Sequence, residues 1–305
     1  MSYRFVSGEP VPDAIRRIVT EQLDKAMGQL SGTQRTADIH IHEARKCFKK
    51  IRAVLRLVQP ELGALYRENN IFFRDAGRKL SQARDAGVLV DTFEKLVFNI
   101  PDEYTAKTVS SLRNLLKRRK TQLAGKRSVL KEHIQDVTRS LLEVRSQVAE
   151  WPLQNNTFKA LSPGLRSIYR DGRKALKVIQ TKPTPYHFHE LRKQAKHHWY
   201  HIRLLYPVWP SLMKASATTL STLSDDLGEH HDLTVFRQVI LSDEIPDTDG
   251  LPVLLADLAT RRQEDLERTI VMLSERIYAE KPQYFLRRIH RYWNIWRKES
   301  VGTDR

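Results

Sequence analysis

The chain has 305 residues, of which 40% are hydrophobic, and its 52 lysines and arginines exceed its 36 aspartates and glutamates for a net charge of +16. This composition allows a large buried core and predicts an anionic partner. The single cysteine, Cys47, excludes a disulfide framework and predicts a small buried residue rather than a catalytic thiol. Because no apolar stretch reaches the length of a membrane span or resembles a signal peptide, we expect a cytoplasmic protein.

Long segments rich in Leu, Ala, Arg, Glu and Lys, separated by Pro and Gly, predict an all-α fold. In the first half we expect helices at about 12–30 and 36–58, a third from 61 past 80 with a break near 84–87, and a helical region from 101 that turns near Gly125. In the second half we expect helices at about 165–179, 185–206, 251–279 and 282–298, with an acidic loop at 242–247. The polar segment 152–162 is the predicted boundary, which gives halves of 1–152 and 153–305.

Two segments of the chain repeat one another at a constant offset of 147 residues. His40–Lys46 returns as His187–Lys193, and the agreement continues without a gap as far as Val88 and Val235. A register held over about fifty residues predicts a duplicated unit. We therefore expect two four-helix bundles related by an approximate twofold axis, with the duplicated polar faces meeting at a shared basic cavity.

Each repeated segment places positive charge along one face of a helix. At about 100° per residue, the first face contains His42, Arg45, Lys46, Lys49, Arg52 and Arg56, and the second contains His189, Arg192, Lys193, Lys196 and Arg203. A solvated helix surface usually alternates acids and bases, whereas each face here has a single acid, Glu43 or Glu190. Like charges at these spacings destabilise a helix, so the pattern favours an anion-binding face.

Histidines at helical spacing suggest a metal site as one alternative. His197 and His201 stand at i,i+4, which can hold zinc, but lysines and arginines surround them in the sequence without a carboxylate cage. The His-Glu segments carry Lys46 and Lys193 where a zinc-protease motif needs its second histidine. We therefore expect no metal ligand and no cofactor.

Acid–base catalysis is a second alternative. The acids near the second repeat include Asp225 and Asp226, but Arg78 and Lys79 stand at the equivalent positions of the first. Asp85 and Asp232 are interpreted as helix caps or ion-pair partners, and no Gly-rich phosphate loop occurs. A site of Arg, Lys and His alone binds phosphate but lacks the carboxylates that hold catalytic magnesium. We expect no catalytic residue and no enzymatic activity, with a metal-dependent phosphohydrolase as the least favoured reading.

Nucleic acid is the stronger competitor, because its backbone is also a regular polyanion. Base recognition would require aromatic or amide side chains within the basic faces, and Trp199 and Tyr200 occur in one copy only. The residues therefore favour a ligand that is phosphate alone, with a nucleic-acid-binding helical protein as the alternative.

Several motifs together resemble the conserved histidine α-helical domain, the CHAD family. They are His42-Glu43-x-Arg45-Lys46-x-x-Lys49, its counterpart from His189 to Lys196, the segment from Gly164 to Arg173, and Leu227-Gly228-Glu229-His230-His231-Asp232-Leu233. The resemblance extends from about residue 10 to residue 298 and implies two four-helix bundles around a basic groove that binds inorganic polyphosphate. It implies a stand-alone member, without the CYTH-type domain common in the family, associated with polyphosphate granules.

The two half-sites are chemically unequal, since Trp199 stands where the first copy has Arg52, and His197 where it has Lys50. The sequence does not indicate an oligomeric state or a protein partner. The predicted polyphosphate-binding residues are His42, Arg45, Lys46, Lys49, Lys50, Arg52, Arg56, Arg84, Arg166, Arg170, Arg173, Lys174, His189, Arg192, Lys193, Lys196, His197, Arg203 and His231.

Overall fold

The computed structural model describes residues 3–32, 37–80, 82–98, 100, 106–123, 127–246 and 249–302. Within these ranges the regular structure is entirely helical, which confirms the all-α prediction. The helices are α1 (Val11–Leu30), α2 (Ala37–Leu57), α3 (Gln59–Leu62), α4 (Ala64–Lys79), α5 (Gln82–Val97), α6 (Ala106–Leu123), α7 (Arg127–Gln147), α8 (Ser162–Thr181), α9 (Pro185–Leu204), α10 (Pro210–Ile240), α11 (Leu251–Ile277) and α12 (Pro282–Gly302).

The core forms because each long helix has an apolar stripe at helical spacing. On α2, Phe48, Ile51 and Leu55 are fully buried, and α1 and α4 pack against this helix. On α9, Phe188 and Leu191 are buried in the same way, and α8 and α10 pack against it. Within the described residues, none of the helices is both long and apolar enough to cross a membrane.

The offset of 147 residues relates the helix bounds of the two halves. It places the start of α2 within one residue of the start of α9 and makes their ends coincide. The stretch divided between α4 and α5 corresponds to the single helix α10. These bounds agree with a duplicated unit, although the duplication itself stays a prediction.

The predicted third helix is interrupted at two positions that differ from the prediction. Gly63 separates α3 from α4 with a φ of +53°, a backbone conformation that residues other than glycine rarely adopt. The predicted break near 84–87 is wrong, because the helix ends at Lys79 and resumes at Gln82. The following Gly87 is accommodated inside α5, where an isolated glycine is tolerated. The predicted turn near Gly125 lies outside the described residues.

Two glycines allow α8 to approach its neighbours closely. A Cβ atom on Gly164 would overlap the backbone of Leu57 at the end of α2, and one on Gly172 would overlap the ring of Tyr278. Tyr169 of the same helix donates its hydroxyl to the carbonyl of Ile277 at 3.2 Å. These contacts fix α8 against both α2 and the end of α11.

The predicted boundary between the halves falls in a segment without helix, residues 151–157. This segment is packed, since the side chains of Trp151 and Leu153 are buried. The halves also meet directly, because α5 contacts α10 and α11, and α2 contacts α8 and α9. The division at 152 and 153 stays a prediction.

Candidate functional site

A cavity of about 970 Å³ opens between α2, α5, α9, α10 and α11. Its lining contains nine lysines and arginines contributed by four of these helices: Lys46, Lys49, Lys50, Lys95, Arg192, Lys196, Arg203, Arg261 and Arg262. His42 also lines the cavity. Such a volume with this many cationic groups is suited to a multiply charged anion.

Both predicted basic helices contribute to this one cavity. The predicted residues that line it are His42, Lys46, Lys49, Lys50, Arg192, Lys196 and Arg203. The helices lie side by side in direct contact, where His201 Nε2 donates to the carbonyl oxygen of Ala53 at 2.8 Å in a fully buried seam. The shared cavity is therefore lined by adjacent helices, and not by helices that face each other across it.

The cavity also has an acidic side that the sequence analysis did not predict. Six carboxylates line it: Glu43, Asp225, Asp226, Glu229, Asp232 and Asp265. The expectation of a site made of Arg, Lys and His alone is therefore wrong. Asp232 lies well inside α10, so of its two predicted roles the helix cap is excluded and the ion-pair partner stays a prediction. The physical reason is the phase of α10, which turns Asp225, Asp226, Glu229 and Asp232, at i, i+1, i+4 and i+7, toward the basic helices.

Three of these carboxylates form ion pairs with cavity cations. Glu43 accepts from Lys46 at 2.6 Å, and Asp225 lies 3.5 Å from Lys196. Glu229 receives two hydrogen bonds from Arg262, at 2.8 and 3.0 Å. The pKa values of Glu43 and Glu229 are lowered, chiefly by these hydrogen bonds.

Asp226 is in a different electrostatic situation. Burial raises the pKa of its carboxyl, and the neighbouring Glu229 raises it further. Its Oδ2 atom is buried without a hydrogen-bond partner among the described residues, as is the hydroxyl of Ser224, a buried residue in the same lining. A carboxylate with little compensation thus stands in a cavity that is otherwise rich in cations.

Two of the cavity lysines are partly withdrawn from water. Burial lowers the pKa of Lys50 and of Lys196, and in Lys196 the carboxylate of Asp225 acts in the opposite direction. A desolvated cation gains more from a bound anion than a solvated one does, because water screens the interaction less.

The two aromatic residues of the cavity, Trp199 and Tyr200, already contact other side chains. The Trp199 ring has Arg203 at 4.7 Å and Lys196 at 5.0 Å from its centroid. Tyr200 is buried against Tyr3, and this burial raises the pKa of its hydroxyl to about 12. Burial keeps Tyr200 from stacking with a base, and a base on Trp199 would compete with two cations.

A second group of predicted residues does not line the cavity. It comprises Arg45, Arg52, Arg56, His189, Lys193, His197 and His231. His189 and His231 pack against each other with ring centroids 4.8 Å apart, and burial lowers the pKa of His189. Arg52 donates from Nε to Asn70 of α4 at 2.9 Å.

The predicted residues of α8 also lie outside the cavity lining. Arg166, Arg170 and Lys174 are exposed, and Arg170 pairs with its neighbour Asp171 at 3.0 Å. Arg173 donates to the carbonyl oxygens of Tyr278, Ala279 and Glu280, which follow the end of α11. Arg84 belongs to α5, but its side chain lies outside the described residues.

Sequence reasoning missed three cavity cations. Arg261 and Arg262 form a basic pair in α11, a signal that was present in the sequence but lay outside the repeated segments. Lys95 of α5 carried no distinguishing signal. Over the part of the chain that the structure describes, no three His, Cys, Asp or Glu side chains are grouped so that they could hold a metal ion.

The fold and cavity define an all-helical protein with a large site of mixed but predominantly positive charge. A model of the CHAD domain matches residues 17–241, so the chain belongs to the CHAD domain family.

Two curated relatives and two solved structures extend this comparison. The uncharacterized proteins MT2285 and Rv2226 of Mycobacterium tuberculosis strains CDC 1551 and H37Rv are each 26% identical over 296 residues, covering 88% of this chain and 55% of the relative. The chain therefore spans about half the length of the curated relatives it matches.

The chain also superposes on PptA from Streptomyces chartreusis with a TM-score of 0.66 at 14% identity, covering 89% of this chain and 100% of that one. The CHAD domain from the plant Ricinus communis gives a TM-score of 0.66 at 16% identity, with coverages of 89% and 94%. At these identities the likeness concerns the fold alone.

Proposed function

We propose that this protein binds inorganic polyphosphate in the cavity and does not hydrolyse it. The observation that carries the proposal is the set of nine lysines and arginines that four helices bring to one lining. Family membership and the implication drawn from the sequence motifs point to the same ligand.

The chemistry of the lining suits a chain of phosphates. Arginine offers paired donors that match phosphate oxygens, whereas lysine offers a mobile charge that adapts to an irregular chain. A nucleic acid would need open aromatic faces for its bases, whereas Arg203 and Lys196 already lie over the Trp199 ring, at 4.7 and 5.0 Å from its centroid. The lining therefore favours polyphosphate over nucleic acid.

The acidic side of the cavity supports binding without hydrolysis. Glu43, Asp225 and Glu229 are held by lysine or arginine, so they are already engaged as partners of cations. These ion pairs determine which cavity cations remain available to a ligand. The negative charge of the carboxylates also limits the binding of other anions. Association with polyphosphate granules would follow from binding of the polymer.

Titration by calorimetry tests the proposal. Long-chain polyphosphate, duplex DNA and single-stranded RNA of matched total charge are compared at two salt concentrations. We expect polyphosphate to bind most tightly, and every affinity to fall with salt because condensed counterions are released. The variant Lys46→Ala/Lys49→Ala should weaken polyphosphate binding by at least about tenfold, since each charged hydrogen bond contributes about 1.5–3 kcal/mol.

The matched control is Arg139→Ala/Arg291→Ala, which removes the same charge from exposed positions on α7 and α12. It should bind polyphosphate nearly as the unmodified chain does. DNA or RNA binding that equals or exceeds polyphosphate binding at physiological salt would replace the proposal with the nucleic-acid alternative.

A further inference from the structure

The chain that precedes α1 is packed against the two basic helices. The side chain of Tyr3 is buried, and its hydroxyl donates to the carbonyl oxygen of Lys50 in α2 at 3.0 Å. Two residues later, the backbone N–H of Phe5 donates to the carbonyl oxygen of Leu204 in α9 at 3.1 Å. The Phe5 ring meets that of Trp293 in α12 edge to face, with centroids 5.3 Å apart. These contacts fix the position of Tyr3 relative to α2 and α9.

The ring of Tyr3 contacts two cations of the cavity. The Nζ atom of Lys50 lies 5.5 Å from the ring centroid, and the guanidinium carbon of Arg203 lies 5.9 Å from it. Both distances are within the range of about 6 Å in which a ring attracts a cation. Lys50 and Arg203 line the cavity, whereas Tyr3 does not. Tyr3 therefore contacts the site through two side chains that line it.

Two rings of α9 complete the aromatic support of Arg203. The guanidinium carbon lies 4.7 Å from the centroid of Trp199. The ring of Tyr200 contacts both Tyr3 and Trp199, with centroids 6.0 and 4.9 Å away. Arg203 thus contacts two rings that a third ring connects.

The two cations on Tyr3 differ from other cations of the cavity in having no acid as a partner. Lys46, Lys196 and Arg262 each pair with a carboxylate. Among the described residues, no carboxylate lies within ion-pair distance of Lys50 or Arg203. Burial lowers the pKa of Lys50, and the charge of Arg203 also acts to lower it. These like charges repel each other, so both side chains need another source of attraction to stay in place.

An aromatic ring supplies such attraction without neutralising the cation. A carboxylate partner cancels the charge of a lysine or arginine and competes with an incoming phosphate for it. The negative face of a ring attracts the cation through its quadrupole but carries no net charge. A cation held by a ring therefore keeps its full charge for a ligand.

We propose that Tyr3 is a positioning residue of the cavity, whose ring holds Lys50 and Arg203 ready for the ligand with their charges uncompensated. This rests on the proposed function and deepens it, because it assigns a role to a residue outside the lining. Tyr3 also precedes residues 17–241, which the family model matches. Side chains held in place beforehand lose less conformational freedom when the ligand binds, which increases the affinity.

Two substitutions of Tyr3 separate the ring from the hydroxyl. Tyr3→Phe keeps the ring and loses only the hydrogen bond to Lys50, so it should bind long-chain polyphosphate nearly as the unmodified protein does. Tyr3→Leu removes both contacts with the cations and should lower the affinity by about fivefold or more. Calorimetry at one salt concentration measures both variants.

A mutant cycle tests whether Tyr3 acts through the two cations. In a protein that already carries Lys50→Ala/Arg203→Ala, the further change Tyr3→Leu should leave the affinity unchanged. The matched control is Phe5→Leu, which makes the same replacement of a buried ring in the same segment, at a ring that packs on Trp293. It should lower the stability to thermal unfolding while keeping the affinity.

NMR of the protein without ligand gives an independent measurement. The Nε–H signal of Arg203, identified by its loss in Arg203→Ala, should shift in Tyr3→Leu because the ring current disappears, and stay nearly unchanged in Tyr3→Phe.

Three results would overturn the inference: control-like affinity in Tyr3→Leu, equal loss of binding in Phe5→Leu, or an effect of Tyr3→Leu that persists without Lys50 and Arg203. Failure of the proposed function would appear differently, as an unmodified protein that binds no polyphosphate. The signal of Arg203 would then still report whether Tyr3 positions this side chain.

Discussion

His201 donates a hydrogen bond to the carbonyl oxygen of Ala53 at 2.8 Å, and this bond joins the two basic helices inside the core. The ring is fully buried, and burial lowers its pKa to about 4, although the bond to Ala53 acts in the opposite direction. One turn earlier, His198 is buried between Tyr169 and Tyr278, and burial lowers its pKa to about 3. The α9 core thus contains two histidines that must stay neutral.

These histidines predict a fold that weakens in mild acid. Both folded-state pKa values lie below the unfolded value of about 6.5, so the unfolded chain binds more protons as the pH falls. Stability is therefore complete above about pH 6.5 and decreases below it by about 1.4 kcal/mol per pH unit for each histidine. Urea unfolding between pH 7.5 and 5 measures this slope.

The variant His198→Leu should fold normally at neutral pH. Its free energy of unfolding should depend less steeply on pH, by the contribution of one histidine proton. Neither ring nitrogen of His198 has a hydrogen-bond partner among the described residues, so replacement by leucine removes no side-chain hydrogen bond there. His290→Gln, at an exposed position, is the control and should leave the slope unchanged. An unchanged slope in His198→Leu would contradict the prediction.

Asp226→Asn should strengthen polyphosphate binding. The replaced carboxylate repels phosphate, and removing a unit charge a few ångströms away contributes ~1 kcal/mol, or roughly a fivefold change in affinity. Calorimetry of the variant against the exposed control Asp257→Asn measures the change.

Lowering the pH should also strengthen polyphosphate binding. Because the pKa of Asp226 is raised, this group takes up a proton at a higher pH than an ordinary aspartate does. The affinity of the unmodified protein should therefore increase more steeply than that of Asp226→Asn as the pH approaches this group's pKa. Weaker binding by the variant would show that the carboxylate assists the ligand.

The fold could be predicted from the sequence because apolar spacing and turn residues act locally. The stripe of Phe48, Ile51 and Leu55 identified α2 and its buried side, and the offset then located α9. The break between α4 and α5 was misplaced, since Asp85 and Gly87 are compatible with the first turns of a helix as well as with a loop.

The candidate site could be predicted only in part, because the sequence does not show which helices pack against one another. The cations of α2 and α9 were found through their repetition, but Lys95 and Arg262 reach the cavity through long-range packing of α5 and α11. For the same reason, the sequence could not indicate that Asp225 and Glu229 would stand opposite the basic helices. Nor could it show that Lys46 and Lys49 line the cavity whereas Arg52 and Arg56 do not.

Arg173→Ala should harm stability more than affinity, although the sequence predicts a ligand contact there. The guanidinium satisfies three carbonyl groups beyond the end of α11, and hydrogen bonds from a charged group contribute about 1.5–3 kcal/mol. Thermal unfolding together with polyphosphate titration distinguishes the two roles. Lys174→Ala, its exposed neighbour, should unfold like the unmodified chain. A stable Arg173→Ala variant that no longer binds would restore the original interpretation.

Detection of hydrolysis would contradict the proposed function most directly, because the cavity contains carboxylates that the sequence analysis did not predict there. The purified protein, incubated for hours with polyphosphate or triphosphate and magnesium, manganese or zinc, should release no phosphate. The reason is that Asp225 and Glu229 are engaged by Lys196 and Arg262, so that Asp226 remains without the neighbouring ligands that a divalent cation requires. A phosphate assay against a heat-denatured sample is the measurement. Metal-dependent release that disappears in Asp226→Asn or Glu229→Gln, and persists in Asp257→Asn, would identify a phosphohydrolase and overturn the proposal of binding alone.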